Sequence, residues 1–135
     1  MQHPGVRRLQ CGEDHIAVLT TQNSRHIHED VRSLVGQLGI ASSKAQGLAT
    51  IITTWSSFTT GDNKIFLLTD DEKQCAVGFV KIGRRRLFLW DPTGSQREYN
   101  LICLLDFFVS PSSQRRGYGR ILIDRMLAEE GLEMK

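Results

Sequence analysis

Five apolar residues, Ile27, Val31, Leu34, Val35 and Leu38, recur at i, i+4, i+7, i+8 and i+11, which is one face of a 3.6-residue period. The spacing predicts a helix that covers a sheet, with Gly39 standing where a C-terminal stop is expected. Upstream, His15 to Thr20 alternates weakly around Ile16 and Val18 before the polar break Thr21-Gln22-Asn23-Ser24, a short strand and turn. Downstream, Ala41 to Leu48 reads as a second short helix, with Ser42-Ser43 near its start and Gly47 near its end. Thr50 to Asn63 is rich in Thr and Ser and ends in Thr60-Gly61-Asp62-Asn63, so it reads as a mobile loop whose Ile51, Ile52 and Trp55 edge the core.

From Lys64 the pattern turns to strands: Lys64 to Thr69, a turn at Asp70-Asp71-Glu72-Lys73, Cys75 to Ile82, a turn at Gly83, then Leu87 to Trp90. This is an antiparallel meander. Asp91-Pro92-Thr93-Gly94-Ser95 is a loop, and Leu101 to Val109 is a longer apolar strand with one conspicuous acid, Asp106. Tyr118, Ile121, Leu122 and Met126 then recur at helical spacing. The order strand, helices, strands, helix predicts an α/β class.

At 135 residues the chain has room for one domain with a single core, residues 1–135, and not for two ordinary ones. With 40% hydrophobic and 24% charged residues it sits among soluble globular proteins. Lys+Arg number 17 against 15 Asp+Glu, and a net charge of +2 is too small to argue for nucleic acid or an anionic membrane. The longest apolar run, Leu101 to Leu105, is far below membrane-spanning length. Cys11, Cys75 and Cys103 are odd in number and without a C-x-x-C pair, so a reducing compartment and the cytosol are expected, with no disulfide framework or zinc ribbon. His26 and His28 form an H-x-H with no further ligand at a familiar spacing; they read as exposed histidines, and no metal is expected.

The stretch that carries chemistry is Gln114-Arg115-Arg116-Gly117-Tyr118-Gly119-Arg120, between a strand and a helix. Its glycines let the backbone turn tightly and approach a ligand, while the free N–H groups of the helix's first turn point outward together. Three arginines add charge suited to a pyrophosphate. A Walker A loop needs Gly-Lys-Ser/Thr, which is lacking, and a dinucleotide fingerprint needs a third glycine where Leu122 stands. The stretch does resemble the Gln/Arg-x-x-Gly-x-Gly/Ala signature of the GNAT superfamily of N-acetyltransferases, which bind the coenzyme A pyrophosphate at this turn.

Four further blocks, Ala41-Ser42-Ser43-Lys44-Ala45-Gln46-Gly47-Leu48, Gly78 to Gly83, Leu87-Phe88-Leu89 and Cys103 to Val109, resemble those of the α-tubulin N-acetyltransferase family, in order and at similar spacing. The resemblance implies a GNAT-like fold, α+β with a mixed sheet, and transfer of acetyl from acetyl-CoA to a lysine of α-tubulin in microtubules, in the cytoplasmic cytoskeleton. It implies an acetyl-CoA segment of Phe107, Phe108, Val109, Gln114, Arg115, Arg116, Gly117, Tyr118, Gly119 and Arg120, a glutamine crucial for activity at Gln46, and Cys103 at the catalytic centre. It also implies strands, a second coenzyme A segment and a catalytic aspartate beyond Lys135, so the 135 residues are expected to lack the end of the domain. Two alternatives stay open: a different protein or small-amine acceptor, and a non-catalytic relative that binds microtubules or coenzyme A.

The residues alone leave the roles open. Cys103 in an apolar strand is a small core residue, a proton relay or a nucleophile that carries the acetyl group as an acetyl-cysteine. Strict alternation puts Cys103 and Asp106 on opposite faces, and only a β-bulge would re-aim one of them. Asp106 is then a partner for an arginine, a loop cap, a substrate ligand or a proton acceptor. Lys81, Arg84, Arg85 and Arg86 surround the turn expected at Gly83; a charged hairpin tip is ordinarily solvated, and the resemblance offers acidic tubulin as a partner.

Overall fold

Residues 63–70 form strand β2 (Asn63–Asp70), in which Ile65 and Leu67 point to one side and Phe66 and Leu68 to the other, all four buried. A strand apolar on both sides needs a layer on each. The computed structural model, which describes residues 2–131, supplies them. β2 lies between β1 (Ile16–Thr20) and β3 (Cys75–Trp90), and β4 (Gln96–Val109) follows β3, in the spatial order β1-β2-β3-β4. Helix α1 (Glu29–Ala45) covers one face through Val31, Leu34, Val35 and Leu38, and a helix at 118–130 covers the other through Leu122 and Met126. Leu34 and Leu38 are almost fully buried, and each contributes roughly 1.5–3 kcal/mol of transfer free energy. The α/β class holds; every pairing among the described strands is antiparallel, where a mixed sheet was expected.

Gly39 does not stop the helix. α1 runs on to Ala45 and absorbs the second helix expected at 41–48, and the turn out of it is made at Gly47 in left-handed conformation (φ 69°). Gly39 is instead a point of close approach: a Cβ there would overlap the carbonyl of Thr53, which crosses the helix. The segment expected to be a mobile loop is pinned. It contains α2 (Trp55–Thr59), closed by a reciprocal cap in which Ser57 N donates to Thr54 Oγ1 and Thr54 N donates to Ser57 Oγ, both at 3.0 Å. Phe58 is fully buried, and the Asn63 amide donates to the Phe58 and Thr60 carbonyls at 2.8 Å each.

Gly83 is not a turn either. β3 passes through it without a break, pairing it with Asn63 on one side and Cys103 on the other. Its missing side chain leaves room for Asn63 Oδ1 and the Arg85 guanidinium. The two strands expected at 75–82 and 87–90 are therefore one, and β4 starts at Gln96, five residues before the expected 101, with the 91–95 turn between them. Asp91 Oδ1 closes that turn by accepting from Thr93 N at 3.0 Å and Ser95 N at 2.9 Å. The last helix, α2 now being taken, is α3 (Tyr118–Glu130), tied to the sheet side by Arg125–Asp14 (2.6 Å) and Lys64–Glu130 (2.9 Å).

Two glycines of α1 give opposite predictions. Nothing lies within 4 Å of a Cβ at Gly36, so Gly36→Ala raises stability by about 0.5–1 kcal/mol through backbone entropy. Gly39→Ala must displace Thr53 and lowers stability by about 1–3 kcal/mol. Urea unfolding of both variants checks the two signs.

Candidate active site

Across β3 and β4, Lys81 pairs with Asp106 but Ile82 pairs with Leu104, so Leu105 is an extra residue on β4. This is a β-bulge. Lys81 and Gly83 are two apart on β3 and share a face, and Gly83 pairs with Cys103. The bulge therefore returns Cys103 and Asp106 to one face of the sheet, the face that α1 covers.

Asp106 is 5% exposed, and both of its oxygens are engaged. Oδ1 accepts from Ser42 Oγ (2.7 Å), Gln46 Nε2 (3.2 Å) and Phe107 N (2.9 Å), and Oδ2 accepts from Thr53 Oγ1 (2.6 Å). A buried carboxylate survives only with such donors. The side-chain donors come from the last turns of α1 and from the segment that Gly39 admits beside it, and the backbone donor from β4 itself. Ser42 and Gln46 fall at i+4 and i+8 from Leu38, so the apolar stripe of α1 ends in two polar residues aimed at Asp106.

Lys81 is 3% exposed, its Nζ donating to Ser57 Oγ at 3.3 Å. Burial holds its ammonium pKa below the usual lysine value; Asp106 opposes the shift and Arg85 adds to it. Lys81 is thus an internal companion of Asp106 and not a surface contact for a partner. Arg84, Arg85 and Arg86 lie along β3 in mid-strand and not at a hairpin tip. Arg84 reaches Asp62 at 3.8 Å, Arg85 donates to Asn63 Oδ1 at 2.9 Å, and Arg86 reaches Glu98 at 3.3 Å.

A cleft of about 380 Å³ opens between the end of α1 (Ala45, Gln46), the end of β4 (Phe107, Phe108, Val109) and the start of α3. Ser113, Gln114, Arg115, Gly117, Tyr118 and Gly119 form its third wall. Arg115 (φ 67°) and Gly117 (φ 79°) are both left-handed, which reverses the chain between strand and helix. For arginine that conformation is strained, a feature that clusters at functional sites. Gly117 caps α3 without a side chain, so among the described residues no side chain takes up the first N–H groups of the helix. Gly119 packs against Phe107, whose Cζ would stand 3.0 Å from an added Cβ, and Gln114 Nε2 donates to the Val109 carbonyl at 3.2 Å.

Of the expected acetyl-CoA segment, Phe107, Phe108, Val109, Gln114, Arg115, Gly117, Tyr118 and Gly119 line this cleft together with Gln46; Arg116 and Arg120 are exposed outside it. Arg120 instead reaches Asp124 at 3.7 Å. Cys103 stands apart from the cleft lining, half-buried, with its Sγ 3.9 Å from the Leu101 carbonyl. Ser42 and Thr53 escaped the sequence reading; a serine on the apolar stripe of α1 was the available signal for the first, and Thr53 lies in a stretch read as loop. His28 is the N-cap of α1, its Nδ1 accepting from Asp30 N at 3.0 Å.

A family model described as GNAT acetyltransferase, Mec-17, matches residues 7–135. The chain belongs to this family. An alpha-tubulin N-acetyltransferase of Anopheles gambiae is 35% identical over 105 residues, covering 76% of this chain and 22% of the relative. Alpha-tubulin N-acetyltransferase 1 of Danio rerio is 39% identical over 107 residues, covering 76% and 36%, and an alpha-tubulin N-acetyltransferase of Schistosoma japonicum is 39% identical over 110 residues, covering 74% and 41%. The chain thus spans less than half the length of these curated relatives. In this GNAT chain the glycine turn and α3 form the cleft wall that the superfamily resemblance assigned to the cosubstrate, with Gln46 on the opposite wall.

The buried Lys81 gives a pH prediction. Its folded pKa lies below the 10.5 of the free side chain, so the unfolded chain binds the extra proton and the ammonium opposes folding below the folded pKa. That opposition fades as pH rises towards 10.5. Denaturant unfolding of the protein and of Lys81→Met therefore shows the wild type gaining relative to the variant as pH is raised into the alkaline range. A difference independent of pH contradicts it.

Proposed function

We propose that the chain carries the acetyl-CoA turn and part of the acyl-transfer site of an α-tubulin N-acetyltransferase. The observation that carries the reading is the cleft itself, which sets the uncapped start of α3 opposite Gln46 and the Asp106 cluster. Free amides of a first helical turn, with Arg115 beside them, suit the diphosphate of coenzyme A. The end of β4 leads from there to Asp106, so a thioester laid along it arrives beside Gln46. The relatives' names supply α-tubulin as the acceptor, and the family resemblance adds a lysine of it and a place on cytoplasmic microtubules.

The transfer forms a bond from lysine Nζ to the acetyl carbon and breaks the carbon–sulfur bond, and the proton lost from the amine balances the departing thiolate. A free lysine has a pKa of about 10.4, so presenting a neutral amine near pH 7 costs about 4.6 kcal/mol. Cys103, on the Asp106 face of β4, is the candidate to relay that proton. Among the described strands β4 pairs only with β3, and an outward N–H near Phe107–Val109 is the candidate donor to the developing oxyanion. Exposed Arg84 and Arg86, with Arg85 between them, offer a basic strip to an acidic acceptor surface.

Incubating the full-length protein with microtubules and labelled acetyl-CoA tests the assignment. Label on an α-tubulin lysine is expected; no label with coenzyme A binding intact rejects the acceptor. Gly117→Ala forces a left-handed alanine, about 1–2 kcal/mol, and calorimetry is expected to show acetyl-CoA affinity about five- to thirty-fold weaker. Unchanged affinity contradicts the placement of the diphosphate.

A further inference from the structure

Along α1 the inward stripe continues from Leu38 through Ser42 to Gln46, and the last two leave the apolar core for a carboxylate. Ser42, Thr53 and Asp106 are 0%, 1% and 5% exposed, whereas Gln46 is exposed at the mouth of the cleft. Three buried polar groups and one exposed one are thus joined in a single network. Its geometry has a direction.

A carboxylate accepts and does not donate, so the Gln46 group that meets Asp106 must be the Nε2 amine, here 3.2 Å from Oδ1 and 2.9 Å from Ser42 Oγ. An amide that is ordinarily free to flip is held in one orientation. Oε1, at the other end, has no hydrogen bond among the described residues. We propose that Asp106, gripped by Ser42 and Thr53, is a positioning residue that turns the Gln46 carbonyl oxygen into the cleft, where it accepts a hydrogen bond from the Nζ of the acceptor lysine. This rests on reading the cleft as the acyl-transfer site.

The chemistry asks for such an acceptor. An amine that donates one N–H to a fixed oxygen has its lone pair aimed in a known direction, and the reaction gains from attack geometry set before the bond forms. Asp106 does not itself take the proton from the lysine, because its oxygens are spent on Ser42, Gln46, Phe107 and Thr53 and are shut away from the cleft. Thr53 is the only one of these donors that binds Oδ2, and it reaches Asp106 because Gly39 lets its segment lie on α1.

Four variants of the full-length protein test the positioning. Thr53→Val replaces the hydroxyl with a methyl of the same shape; kcat on microtubules is expected to fall about ten-fold or more while calorimetric affinity for acetyl-CoA stays within about two-fold. Thr53→Ser, which restores the hydroxyl, recovers most of that loss. Gln46→Glu sits at an exposed position and leaves the fold intact even if Thr53→Val does not. It keeps an acceptor oxygen but cannot donate to Asp106, and its kcat is expected to fall as far as that of Gln46→Leu. Wild-type kcat in Gln46→Glu overturns the proposal, as does a folded Thr53→Val that keeps its rate or loses acetyl-CoA affinity in step with it. A wild-type protein that fails to bind acetyl-CoA removes the acyl-transfer reading itself, a different failure from one in which wild type acetylates and the variants match it.

Discussion

A carboxylate at 5% exposure is tolerated only if both oxygens are met by donors, and in this chain that requirement organises the site. Satisfying Asp106 takes a hydroxyl and an amide from the last turns of α1, a hydroxyl from the segment after it, and the backbone of β4. None of these is a neighbour of the others in sequence. The carboxylate therefore ties together α1, the segment leading to α2, and the strand that runs into the glycine turn. Removing one donor exposes the remaining groups to a cost of roughly 1–3 kcal/mol, so the network stands or falls together.

Glycine makes a close approach possible at three places. Gly39 lets Thr53 lie against α1, Gly83 leaves space on β3 for Asn63 and Arg85, and Gly119 lets α3 pack on Phe107. At Gly117 the reason is conformational, a left-handed cap that carries no side chain to occupy the first amides of α3. The bulge at Leu105 belongs to the same scheme, since without it Asp106 and Cys103 would face opposite layers. The proposed function lays the cosubstrate along the cleft between the end of β4, the start of α3 and the end of α1.

Much of this was legible in the chain. Period and alternation located α1, β1, β2 and α3, because their apolar residues face layers that lie within the described fold. The turn between β4 and α3 was legible because its glycines mark it locally. What escaped was long-range: Gly39 and Gly83 read as stops, since a sequence does not reveal that another segment crosses at that point. The stretch at 50–63 read as mobile because its order rests on the reciprocal cap of Thr54 and Ser57 and on the buried Phe58, neither of which a Thr- and Ser-rich composition reveals. Basic residues at 81–86 read as one cluster although β3 is covered on both faces only as far as Gly83, which buries Lys81 and leaves Arg84 and Arg86 exposed. The pairing of Gln46 with Asp106, 60 residues apart, has no local signature at all.

The amide signals of Tyr118, Gly119 and Arg120 in the full-length protein, followed by NMR as acetyl-CoA is added, test the central claim most directly. The account predicts that these first N–H groups of α3 move downfield as they take phosphate oxygens, and that the Gln46 side-chain amide, held on Asp106 and Ser42 across the cleft, shifts with them. Saturable binding that leaves all four signals in place would contradict it.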